Sequence, residues 1–138
     1  MNKFSKCLVV SRHKLLPVQE EDVKGVCQEV VQVPELPTEP RALIETIKPY
    51  EVIIGTLPLP LIVQVLQAGK KFIAFTMKSL GTYKTEEEAK QVETKYPGRV
   101  AILKPSKPEE PYRVTLYTGL TLYTEVKIVS EPLVTHPE

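Results

Sequence analysis

A hydroxyl, a guanidinium and an imidazole stand side by side at Ser11, Arg12 and His13. Arg12 offers a permanent charge and a fork of donors that matches phosphate oxygens. His13 changes charge near neutral pH and can carry a proton to or from a reacting oxygen. Ser11 can orient a ligand or satisfy a backbone group at a turn. A second group, Gly55-Thr56-Leu57, pairs a residue that lets the backbone approach an anion with a hydroxyl donor. Lys78 is a further candidate for phosphate, and Tyr83 fits either ligand contact or packing. Residues 1–16 hold Lys3, Lys6, Arg12 and Lys14 and no acid, a local cationic stretch in a chain whose net charge is only +1. The chemistry these types share is the binding of a compact phosphate-bearing ligand, with His13 as the candidate proton carrier. Each also has a plain use: Arg12 as a solvated charge, Gly55-Thr56 as a turn.

The elements that must position these residues emerge from the alternation of apolar periods. Lys6–Ser11 reads as a buried strand, and 17–29 as a modest amphipathic helix weakened by Gly25. Glu29–Val33 is a second strand, and Thr38 is placed to cap a helix with Pro40 in its first turn. Glu51–Ile54 is a third strand. Pro58 and Pro60 fit only the first turn of a helix, after which Leu59, Ile62, Val63 and Leu66 keep helical spacing until Gly69. Lys71–Met77 is a fourth strand, Thr85 and Glu88 form a capping-box pattern ahead of a fourth helix, and Arg99–Leu103 is a fifth strand. Beyond the polar loop at 104–111, two β-rich runs, Tyr112–Tyr117 and Leu120–Val129, flank Thr118-Gly119 as in a hairpin.

This alternation predicts an α/β fold, a Rossmann-like and mainly parallel sheet with flanking helices and a C-terminal antiparallel β-hairpin. One domain covers residues 1–130, with 104–130 a hairpin extension and 131–138 a loose tail that includes His136. In an open parallel sheet, ligands gather at the carboxyl ends of the strands. The first strand brings Ser11, Arg12 and His13 there, the third Gly55, Thr56 and Leu57, and the fourth Lys78, with Tyr83 close behind. Each of the first two also leads toward a helix N-terminus, whose N–H groups favour anions. Lys70 and Lys71 fall at the opposite edge.

Composition removes several classes. Eighteen basic against 17 acidic residues disfavours a protein of long nucleic acids. Two cysteines, Cys7 and Cys27, and two histidines give no pattern for a disulfide scaffold or a structural zinc. The leading apolar run is too short for a signal peptide or a membrane span, so a soluble cytoplasmic protein is expected. Thirteen prolines, close to twice the usual level of about 5%, lie between periodic segments and mark boundaries. The G-x-G-x-x-G, P-loop and G-x-S-x-G patterns are all absent, which argues against dinucleotide redox enzymes, P-loop NTPases and α/β-hydrolases. No cofactor is implied.

Val10-Ser11-Arg12-His13, together with Val52-Ile53-Ile54-Gly55-Thr56-Leu57-Pro58 further along, resembles the small stand-alone CRISPR-associated proteins with a CARF-like, Rossmann-like fold. One group of these carries a first-strand Val-Thr-Arg-His and a later Val-Ile-Gly-Thr-Leu-Pro; here Ser11 stands in place of the Thr. The resemblance covers roughly residues 7–80. It implies a cyclic oligoadenylate ligand, a homodimer with two copies of the strand ends around a two-fold axis, and a ring nuclease of type III CRISPR signalling. Under that resemblance Ser11, Arg12 and His13 are the catalytic residues, with Gly55, Thr56, Leu57, Lys78 and Tyr83 as ligand contacts and no metal. Two alternatives stand beside it: a non-catalytic sponge or sensor for the same ring, and a Rossmann-like structural or assembly subunit.

Overall fold

The computed structural model describes residues 3–124 and 130–138. Among them are seven strands and four helices: β1 (Phe4–Val10), α1 (Pro17–Val26), β2 (Cys27–Val33), α2 (Pro40–Ile47), β3 (Val52–Gly55), α3 (Leu59–Gln67), β4 (Lys71–Tyr83), α4 (Glu86–Lys95), β5 (Val100–Leu103), β6 (Tyr112–Tyr123) and β7 (Ser130–Thr135). The fold is α/β, and its single sheet is mixed. The order is β2-β1-β3-β4-β6-β5, with β7 also paired to β6.

The parallel half, β2-β1-β3-β4, has the expected crossovers. Its centre is apolar on both faces, which is why KCLVVS and EVIIG read as continuous runs. Cys7, Val9, Val52 and Ile54 face the core under α1; Leu8, Val10 and Ile53 face the core under α2 and α3. Glu51 closes the amino-terminal edge by accepting the Ser5 N–H at 2.8 Å and its hydroxyl at 3.1 Å. These bonds, with Lys71 nearby, hold its carboxyl below the usual range against the opposing cost of burial.

The antiparallel half departs from the sequence reading in three ways. First, β4 does not end at Met77. It runs on to Tyr83, because β6 pairs with it over that whole length, from Phe72 opposite Tyr123 to Tyr83 opposite Tyr112. Second, Thr118-Gly119 is no hairpin turn. Gly119 lies opposite Thr76 and Tyr117 opposite Met77, so Thr118 bulges out of a strand that continues. Gly119 has φ 144°, and a Cβ there would lie 1.8 Å from the Val134 carbonyl oxygen. The glycine answers the close approach of β7, not a reversal. Of the expected second hairpin strand, 120–123 belongs to β6 and 125–129 lies outside the described residues. Third, β6 separates β4 from β5, so β5 is not a parallel neighbour of β4 but pairs antiparallel with β6.

The expected loose tail is strand β7, antiparallel to β6 from Tyr123 opposite Ser130 to Gly119 opposite Thr135. The last three residues, beyond β7, are clamped. Arg99 donates from Nε to the Tyr117 carbonyl (3.1 Å), from Nη1 to Pro137 (3.1 Å) and from Nη2 to His136 (3.3 Å). His136 Nε2 and the Tyr117 hydroxyl both bond Asp22 Oδ2 of α1, at 2.7 and 2.8 Å. Burial, then the hydrogen bond to Asp22, pushes the Tyr117 phenol well above its ordinary value of 10.0. Lys78 pairs with Glu138 at the chain's last residue.

A Cys7–Cys27 disulfide joins β1 to β2, contrary to the expectation from cysteine spacing. Parallel pairing sets Phe4 opposite Cys27 and Cys7 opposite Val30. The Cα atoms of the two cysteines are 6.2 Å apart, and both side chains lie in the core under α1. Twenty residues of sequence separation concealed that proximity.

Candidate functional site

At the carboxyl ends of β1 and β3 and beside the middle of β4, where the cores on the two faces of the sheet meet, lies a cavity of about 640 Å³. That volume falls inside the ~300–1,000 Å³ of small-molecule sites. Ser11, Arg12, His13, Thr56 and Leu57 line it, so the structure brings together five of the eight residues singled out in the sequence. Apolar side chains, including Val10, Leu61, Phe75 and Met77, make most of its surface. Polar groups occupy its rim, an arrangement suited to a ligand with flat apolar faces and a charged backbone.

The loop after β1 is pinned by its own backbone and by β2. The Ser11 N–H donates to the Val33 carbonyl (2.9 Å), and Ser11 Oγ donates to the His13 carbonyl (2.8 Å). His13 N–H returns a bond to Ser11 Oγ at 3.3 Å, and Gln32 Nε2 reaches the same His13 carbonyl at 3.2 Å. Ser11 thus holds the loop while Arg12 and His13 stand exposed at the mouth. Arg12 Nη2 lies 2.9 Å from Glu35 Oε2, a carboxylate on the loop between β2 and α2.

Gly55 is placed beside this lining, not within it. It is buried opposite Val10 in the β1–β3 ladder, and a Cβ there would sit 2.7 Å from the Val10 carbonyl oxygen. The glycine lets the two strand ends close together, which sets Thr56 beside the loop of Ser11 and Arg12. Lys78 and Tyr83 are carried past the cavity by the long β4 strand. Lys78 pairs with Glu138, and Tyr83 packs with Val92 and Tyr96 and donates its hydroxyl to Leu80 at 3.4 Å.

The helix N-termini offer less to an anion than the sequence promised. In α3, Pro58 and Pro60 have no N–H, and the N–H groups of Leu61 and Ile62 already reach the Pro58 carbonyl. In α1, Pro17 has none, Gln19 Oε1 accepts from Leu16 N–H at 2.9 Å, and Val18 N–H donates to Gly98. The polar groups that the cavity offers to a ligand are therefore side chains, among them Arg12, Thr56 and His13.

Sequence reasoning missed the wall contributed by the loop after β2. Glu35, Leu36 and Thr38 all line the cavity. Thr38 is free for this because Glu39, not Thr38, caps α2, accepting from Arg41 N–H at 3.1 Å and Ala42 N–H at 2.9 Å. The signal was present: β2 is parallel to β1, and the strand-end rule applies to its end at Pro34–Thr38 as well. Gln19, buried at the base of α1, was missed too; its Nε2 reaches Met77 Sδ at 3.8 Å across the cavity wall.

Among the described residues, no cluster of three His, Cys, Asp or Glu is arranged for a metal ion, and no helix is long and apolar enough to cross a membrane. Compared with family models, with curated proteins and with solved structures, the chain matches none.

Proposed function

We propose that this chain binds a cyclic oligoadenylate, cyclic tetra-adenylate above all, and cleaves it without metal, switching off type III CRISPR signalling. The observation that supports this reading is the meeting of Ser11, Arg12, His13, Thr56 and Leu57 around one apolar-floored cavity at the strand ends. The finer fold assignment that goes with it is a CARF-like, Rossmann-like domain. Adenine rings suit the apolar surface, and phosphates suit the rim. One cavity of this volume takes part of such a ring, so the reading includes a cytoplasmic homodimer in which a second copy completes the site across a two-fold axis.

Cleavage proceeds by attack of a ribose 2′-oxygen on its own 3′-phosphorus. The new O–P bond forms as the bond to the 5′-oxygen breaks, leaving a 2′,3′-cyclic phosphate and a 5′-hydroxyl. One proton leaves the 2′-hydroxyl and one reaches the departing 5′-oxygen. His13 handles one of these transfers, and solvent handles the other. Arg12 and the Thr56 hydroxyl stabilise charge on the phosphoryl oxygens, and the site holds the 2′-oxygen in line. Ser11 acts by fixing the loop that presents Arg12 and His13.

A second reading, a non-catalytic sponge or sensor, draws on one observation: the Ser11 hydroxyl is already committed to the His13 carbonyl. Incubation with cyclic tetra-adenylate in excess chelator separates the two. Linear adenylates ending in a cyclic phosphate support the nuclease, and tight binding without conversion supports the sponge.

A further inference from the structure

We propose that Glu35 is a built-in competitor for the phosphate site: it occupies Arg12 in the free protein, and a ligand phosphate must displace it. This inference rests on the reading of the cavity as a phosphate-ligand site. Of the residues lining the cavity, Arg12 and Glu35 are those with a permanent charge at neutral pH, and His13 is the other one that titrates. The single guanidinium is thus met at 2.9 Å by the single carboxylate. With His13 neutral, the lining carries no net charge, and the guanidinium is available to an anion only when that pair opens.

The pair is arranged to exchange. The two side chains are 73% and 67% exposed, so their attraction is screened by water and holds weakly. The carboxylate is nonetheless kept at the mouth. Glu35 stands between Pro34 and Pro37, and its neighbour Leu36 is buried in the core under α2 and α3. Pro34 and Pro37 restrict the backbone, and Leu36 anchors it, so Glu35 stays within reach of Arg12. A carboxylate held there opposes any incoming anion by like charge and by occupying its best donor. It sets the affinity of the site below what Arg12 alone would give, and its return to Arg12 favours release of the cleaved product.

The test measures equilibrium binding of the 2′-deoxy form of cyclic tetra-adenylate, which lacks the attacking hydroxyl, to the wild-type chain, Glu35→Gln, Arg12→Ala and the double variant. Inorganic tripolyphosphate serves as a second probe. Glu35→Gln should tighten both probes roughly 1.5- to fivefold, the range an exposed ion pair spans when converted to a ratio of dissociation constants. The same substitution should have a clearly smaller effect once Arg12 is alanine, where only like-charge repulsion is relieved. Unchanged or weaker binding by Glu35→Gln overturns the proposal, as does equal tightening in the Arg12→Ala background. If the ring fails to bind any variant while tripolyphosphate shows the pattern, the competitor stands and the ring falls. If neither probe binds, both fall.

Discussion

Arg12 and His13 share a loop, and the proposed function gives them different work that substitution should separate. His13→Ala is expected to slow ring cleavage by about 10²–10⁴-fold, the usual contribution of a positioned proton carrier, while leaving ring affinity within a few-fold. Arg12→Ala should weaken binding and turnover together, because its charge meets phosphate before and during reaction. Single-turnover kinetics with a parallel binding isotherm distinguishes these patterns; a His13→Ala protein with normal cleavage ends its catalytic assignment. At this scale the sequence was informative where residue type and a strand end coincided, as at Ser11–His13 and Thr56–Leu57. It was silent on Glu35, whose importance comes from spatial proximity to Arg12 across 23 positions of sequence. Gly55 and Gly119 show the opposite limit. Their presence was visible, but only the neighbouring Val10 and Val134 carbonyls explain why no side chain fits.

Among the elements, β1 and β2 are joined by the Cys7–Cys27 disulfide, and they carry two of the loops that line the cavity. The bond closes a loop of 20 residues, for which chain-entropy reasoning gives about 3 kcal/mol of stability. Thermal unfolding under reductant, or of Cys7→Ser, should therefore show a midpoint lower by about 10 °C. A free-thiol assay finding two reactive cysteines in the native, unreduced protein would contradict the bond. On the far side, β7 and α1 are tied through Tyr117, Asp22 and His136. The folded protein holds the Tyr117 proton more tightly than the unfolded chain does. This contribution is intact below pH 10 and is lost as pH rises further. Tyr117→Phe should cost about 1.5–3 kcal/mol at neutral pH, for a buried bond to a carboxylate. Its deficit should shrink above pH 10, as measured by denaturant titration across pH; a deficit constant with pH would argue against the buried phenol. Helices and parallel strands were legible because each combines a period with a breaker. The strand β7 was not, since Ser130–Thr135 is short, contains Pro132 and gains its structure only from pairing with β6.

Over the whole molecule, the sheet divides into a parallel half that supplies most of the cavity lining and an antiparallel half that adds Ala101, Leu103 and Thr115 to it. Phe75 of the cavity wall packs edge-on against Tyr117, and Tyr117 reaches α1 through Asp22. The C-terminal residues therefore stand behind the same wall that the N-terminal loop completes. The α/β class and the parallel β2-β1-β3-β4 half were legible in local patterns, whereas the insertion of β6 between β4 and β5 was not. That order depends on long-range antiparallel pairing, which leaves no local signature in residues 100–123. A homodimer around the cavity should appear in light scattering as twice the 15.6 kDa chain mass, and a monomer that still binds the ring would contradict the two-fold site.

The ring-nuclease reading meets its sharpest test when the purified chain is incubated with cyclic tetra-adenylate in excess chelator, resolving bound ligand and products together. Conversion to linear adenylates bearing a 2′,3′-cyclic phosphate and a 5′-hydroxyl is expected, lost or sharply slowed in His13→Ala. Neither binding nor cleavage, with cyclic hexa-adenylate equally inert, would contradict it.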